Sequence, residues 1–106
     1  MTAFTWCDGE WNDGNQPLLS AMSIGVWLAS TVFDGARAFE GVAPDLDLHC
    51  QRTLRSAKAL GLDPQKSADE LYRLAWEGIK HFPEGSELYI RPMFWTDSGH
   101  VAPDAE

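Results

Sequence analysis

Two apolar stretches, TVFDGARAF at 31–39 and ELYIRPMFW at 87–95, alternate in the manner of strands, and helical sequence lies between them. Neither is a plain core strand. The first carries Gly35 in its middle and Gly41 just beyond, which points to close backbone approach or a bulge. The second carries Pro92, which has no N–H for a ladder, so it belongs at an edge or where the strand breaks. Tyr89, Arg91 and Met93 share one face of this strand, with Leu88, Ile90 and Pro92 on the other.

Helix signals fill the interval. Asp47 is placed to cap a helix over roughly 48–60, LHCQRTLRSAKAL, and Gly61 ends it. Its apolar stripe is Leu54, Ala57 and Leu60, with either Leu48 or Cys50. Ser67-Ala-Asp-Glu70 is a capping box, which starts a second helix running to about 81 with Leu71, Leu74, Ala75 and Ile79 toward a core. Upstream, Asp8-Gly9 between aromatic residues in FTWCDGEWN predicts a tight hairpin over 4–12. Residues 18–30 form either a short helix or an irregular buried segment, and periodicity does not decide between them. Hairpin, strand, two helices and strand together make an α+β domain, two main helices packed on an antiparallel sheet.

The chain has 106 residues, enough for one small domain with a single core. Its formal net charge of -8 argues against nucleic acid as a partner, because an acidic surface repels phosphate backbones. No run of about 18 apolar residues predicts a membrane span. The opening MTAFTWCDGEW lacks the basic-then-apolar order of a secretory signal, and Cys7 and Cys50 are too few and too far apart for a disulfide framework or zinc site. A reduced, cytoplasmic setting is the expectation. His49, His81 and His100 do not cluster, so no metal spacing appears. Cys50 reads as a small core residue.

Three arginines are candidates for chemistry. Arg37 reads equally as a solvent-facing strand residue, and Arg52, taken alone, as a solvated helix residue. Arg91 lies in an apolar strand, where a buried guanidinium needs an anionic partner, either a structural carboxylate or a ligand's.

Four stretches, in order, resemble the N-terminal, smaller domain of the class IV (fold-type IV) pyridoxal-phosphate aminotransferases, the branched-chain amino acid type above all. DGEW resembles the family's N-terminal hairpin, and STVFDGARAFEG its S-x-V-F-E-G-[IL]-R block. HCQRTLRSAKALGL resembles the H-x-x-R helix, and ELYIRPMFW the Y-[IL]-R-P strand. The resemblance implies pyridoxal 5'-phosphate as cofactor and amino acids and 2-oxo acids as substrates. It implies that Arg52 binds the cofactor's phosphate, a task suited to a planar guanidinium fork. It implies that Phe33, Tyr89 and Arg91 line the substrate pocket, Phe33 against the substrate side chain and Arg91 toward the distal carboxylate of glutamate. Both guanidiniums are then expected to face one cleft.

The same resemblance places the Schiff-base lysine in a second, larger domain, and Lys58, Lys66 and Lys80 match nothing catalytic. Residues 1–96 are therefore expected to be the small domain and 97–106 the start of a linker to the lysine-bearing domain. These 106 residues alone are expected to be inactive, and the complete protein a homodimeric transaminase. Two positions depart from the pattern. Leu28-Ala29 stands where the family has Tyr-Gly, which bears on substrate specificity, and Asp34 replaces the usual Glu. D-amino acid aminotransferase, (R)-selective amine transaminase and aminodeoxychorismate lyase are the neighbouring readings. A non-catalytic dimerisation module is the reading from another class.

Overall fold

The computed structural model describes residues 3–96. The expected linker at 97–106, with His100, lies outside the described residues. The chain opens with β1 (Phe4–Cys7) and β2 (Glu10–Asp13), paired antiparallel with Trp6 opposite Trp11. Asp8 and Gly9 both have positive φ (53° and 89°), the turn whose twist matches a two-residue hairpin. The undecided segment at 18–30 contains a single turn of helix, α1 (Ile24–Trp27). Ala29, at the family's glycine position, sits at φ 56°, a left-handed conformation that costs a residue with a Cβ about 1–2 kcal/mol.

Each of the two long strands expected from sequence is two short ones. Residues 31–39 divide into β3 (Thr31–Phe33) and β4 (Ala36–Ala38), and 87–95 into β5 (Leu88–Ile90) and β6 (Met93–Trp95). β3 pairs β6 and β4 pairs β5, both antiparallel, so the described strands form three two-stranded sheets. The register runs unbroken through the gap, from Thr31 opposite Trp95 to Ala38 opposite Leu88. Phe39 leaves the strand for an isolated bridge with Val42 around Glu40-Gly41.

Between these strands lie α2 (Leu46–Ala59) and α3 (Ala68–Ile79). α2 begins two residues before the expected start. Asp45, at φ 56°, is its N-cap and makes no side-chain capping bond, while Asp47 lies in the first turn. Its buried stripe is Leu46, Cys50, Thr53 and Ala57; of the expected stripe Cys50 and Ala57 are buried, Leu54 and Leu60 only half-buried, and Leu48 is 52% exposed. The end is a Schellman motif, with Gly61 N–H donating to the Lys58 carbonyl and Leu62 N–H to that of Ala57. α3 has the capping box read from sequence: Glu70 N–H donates to Ser67 Oγ, and Ser67 N–H to Glu70 Oε1.

The core forms where α2 meets β4 and β5. Ala36, Leu46 and Cys50 are its buried centre, with Ala43, Leu71, Ala75, Trp76 and Ile90 packed against them. The β1–β2 hairpin docks on α3 through Trp11, whose indole lies across buried Gly78. A Cβ at position 78 would overlap the Trp11 ring, with Cζ2 only 2.6 Å away. Gly78→Ala gains about 0.8–1.0 kcal/mol of helix propensity but meets an overpacking cost of about 1–3 kcal/mol. Urea unfolding should show a net loss of about 0–2 kcal/mol; a raised midpoint would contradict this docking contact.

Candidate functional site

The site is built at the gap between the two strand pairs. Asp34 N–H donates to the Pro92 carbonyl, 3.2 Å. Proline has no N–H to return the bond, so half of this ladder ring is missing. The Asp34 side chain turns to α2, which the core contacts press against the strands. Arg52 Nε and Nη2 donate to Asp34 Oδ2 and Oδ1 at 2.5 and 2.9 Å, a two-pronged grip. Gly35 N–H donates to Oδ1 at 2.8 Å, and His49 Nδ1 lies 2.9 Å from the same oxygen. His49 and Arg52 are three residues apart on α2, hence on one helix face, and Arg52 Nη2 lies 2.9 Å from His49 Nδ1.

This carboxylate is the fixed member of the group. Its side chain is 12% exposed, against 54% for Arg52. The Arg52 guanidinium holds the Asp34 carboxyl far below the usual carboxylate range, with His49 and the Gly35 N–H adding to the effect, while burial opposes them. Asp34 in turn raises the Arg52 pKa through the same hydrogen bonds.

Phe33, Tyr89 and Arg91 form a second group. The Arg91 guanidinium carbon lies 5.2 Å from the Tyr89 ring centroid and 5.6 Å from that of Phe33, a flat cation against two aromatic faces. Phe33 and Tyr89 are 58% and 57% exposed. Gly35 makes the arrangement possible, because a Cβ there would come 2.6 Å from the Tyr89 hydroxyl. Burial of Ala36 and Ala38, with Ile90 on the core, assigns the other strand face to α2.

The four residues read from sequence thus fall into two groups. Phe33, Tyr89 and Arg91 come together; Arg52 is tied to Asp34 on the helix side. The groups adjoin at Gly35, whose N–H serves Asp34 and whose open Cα serves Tyr89. Arg37 lies opposite Tyr89 in the β4–β5 pair and is exposed. Sequence reasoning missed Asp34 and His49 as partners of Arg52, although the three-residue spacing of His49 and Arg52 was a usable signal. Cys50 is buried as read, and burial pushes its thiol up to about 11. Among the described residues no group of His, Cys, Asp and Glu is arranged to hold a metal, and no helix is long and apolar enough to cross a membrane. An apolar groove of about 970 Å³ runs between the hairpin, α3 and β5–β6; Tyr89 and Arg91 border it, whereas Phe33 and Arg52 do not.

The family described as Amino-transferase class IV matches residues 31–106. An aminotransferase from Brucella abortus, solved bound to the cofactor PLP, is 49% identical with a TM-score of 0.90, over 93% of this chain and 35% of that one. The branched-chain aminotransferase of Thermoproteus uzoniensis, solved with norvaline, is 28% identical with a TM-score of 0.83, over 99% of this chain and 37% of that one. A Rickettsia typhi protein named "Probable branched-chain-amino-acid aminotransferase" is 29% identical over 87% of this chain and 32% of its own length. The chain therefore spans about a third of the length of the relatives it matches.

The Asp34 grip has a pH signature. Its folded pKa is depressed, so its contribution is present above the unfolded value of about 3.9 and is lost as pH falls below it. Wild type should be more stable than Asp34→Asn near neutral pH, with the gap closing as pH drops below about 4. A pH-independent gap in unfolding midpoints would show that the carboxylate charge is not what holds Arg52.

Proposed function

The chain belongs to the class IV aminotransferase family, and we propose that it forms the smaller half of an enzyme that moves an amino group between an amino acid, of branched-chain type, and a 2-oxo acid. The observation that carries this reading is the convergence of Phe33, Tyr89 and Arg91 beside an Arg52 already gripped from one side. Pyridoxal 5'-phosphate, when bound, supplies the electron sink for bond breaking at the substrate's α-carbon. The residues present fit its phosphate. Arg52 is half exposed, and its Nη1 has no partner among the described residues, so Nη1 is open to an oxyanion.

The aromatic group suits substrate handling. Phe33 offers apolar surface to an aliphatic side chain. Arg91, lying over two rings, offers its N–H groups to a carboxylate, the second carboxylate of glutamate or 2-oxoglutarate. In this reading the lysine and the remaining cofactor contacts come from a second domain beyond the linker at 97–106, and the cleft containing both groups closes only with it. The working form is a cytoplasmic homodimer. The amino-acid class rests on the branched-chain relatives and on the Y-I-R-P strand, and Leu28-Ala29 is the feature that sets this pocket apart.

In the protein carrying both domains, Arg52→Ala should lower retention of pyridoxal phosphate by about tenfold or more, because a charge-assisted contact is lost. Gel filtration followed by cofactor absorbance reads this out, and undiminished retention would remove Arg52 from the phosphate site. Arg91→Ala should raise KM for glutamate about tenfold or more while leaving KM for leucine within about threefold, since only glutamate has a second carboxylate to lose its partner. Equal changes for the two substrates would contradict the role given to Arg91.

A further inference from the structure

We propose that Asp34 is a positioning residue for Arg52: with His49 it occupies Nε and Nη2 of the guanidinium and so fixes Nη1 outward, toward a phosphate oxyanion. The proposal rests on the reading of Arg52 as the phosphate ligand and adds what aims it.

Three observations carry it. First, the grip is two-pronged, with Nε on Oδ2 and Nη2 on Oδ1, so it sets the rotation of the guanidinium plane as well as its place. A single contact leaves the plane free to turn. Second, Asp34 is itself held. Its Oδ1 receives the Gly35 N–H and lies against His49 Nδ1, and its backbone N–H is tied to the Pro92 carbonyl. The carboxylate is a post anchored to the strand, and Arg52 is an arm resting on it. Third, the arm remains reachable: the Arg52 side chain is 54% exposed, and Nη1 has no partner among the described residues. A purely structural strand-to-helix tie has no need of that open nitrogen. A long arginine left free loses side-chain freedom when it meets an anion; one already lodged on a carboxylate has lost most of it.

The arrangement also has an opposing effect. Asp34 cancels the Arg52 charge, so removing it strengthens the field felt by an incoming anion while loosening the arm. Affinity alone is therefore a poor measure, and the identity of the N–H groups that respond is a better one.

The experiment is ¹H–¹⁵N NMR of the arginine side chains in the protein carrying both domains, freed of cofactor, with Arg52 assigned from Arg52→Lys and inorganic phosphate titrated at constant ionic strength. In wild type the Arg52 Nε–H should exchange slowly with solvent and keep its shift, while the Nη signals move saturably with phosphate. Asp34→Asn should speed Nε–H exchange about tenfold or more, and phosphate should then shift Nε–H as well. Asp34→Glu, which restores a carboxylate, should recover the protection. If Asp34→Asn does not fold, the wild-type pattern, Nη responding and Nε silent, still decides. Phosphate-induced movement of Nε–H in wild type, or an identical response in a folded Asp34→Asn, overturns the positioning role and leaves Arg52 as an anion ligand. No phosphate response at any Arg52 nitrogen in wild type removes that ligand reading, and the proposal with it.

Discussion

Pro92 cannot donate a hydrogen bond, and it lies opposite Asp34 in an otherwise continuous antiparallel register. The rest of the site follows from that missing N–H. The ladder keeps Asp34 N–H to the Pro92 carbonyl and loses its mate, so four short strands stand where two long ones are written. At the gap a carboxylate turns toward α2 and collects the Gly35 amide, His49 and Arg52. Next to it Gly35 leaves room for the Tyr89 ring, over which Arg91 lies with Phe33.

Features stated by neighbouring residues were legible in the sequence. Asp8-Gly9 fixes a hairpin, Ser67 to Glu70 fixes a helix start, and both appear with the hydrogen bonds or backbone angles their chemistry requires. Pro92 announced a break, and Gly35 a close approach. The start of α2 was not legible, because its N-cap, Asp45, adopts a left-handed conformation without a capping side chain, whereas Asp47 carries the usual signal. The pairing of Asp34 with Arg52 was hidden for a different reason. The two are eighteen residues apart, and only the packing of α2 on the strands brings them together.

The resemblance assigned residues to a site but not their grouping. It gave Arg52 and Arg91 one shared cleft, and the structure gives each guanidinium its own partner, a carboxylate for one and two aromatic rings for the other. These environments suit different work. A carboxylate on one edge leaves an arginine aimed, still charged but with its field largely offset, which suits a group that arrives with several other contacts. Aromatic faces leave the charge uncancelled and the N–H edge open, fit for a small anion that must be recognised and released. The exposed rings of Phe33 and Tyr89 fit a surface completed by further chain, in a family whose solved members here are about three times as long.

The most direct test is a crystal structure of the protein with both domains and pyridoxal phosphate bound. The account predicts the phosphate within hydrogen-bond distance of Arg52 Nη1, with Asp34 still on Nε and Nη2, and Phe33, Tyr89 and Arg91 facing the substrate side of the same cavity. A phosphate held entirely by other residues, with Arg52 turned to solvent, would contradict it.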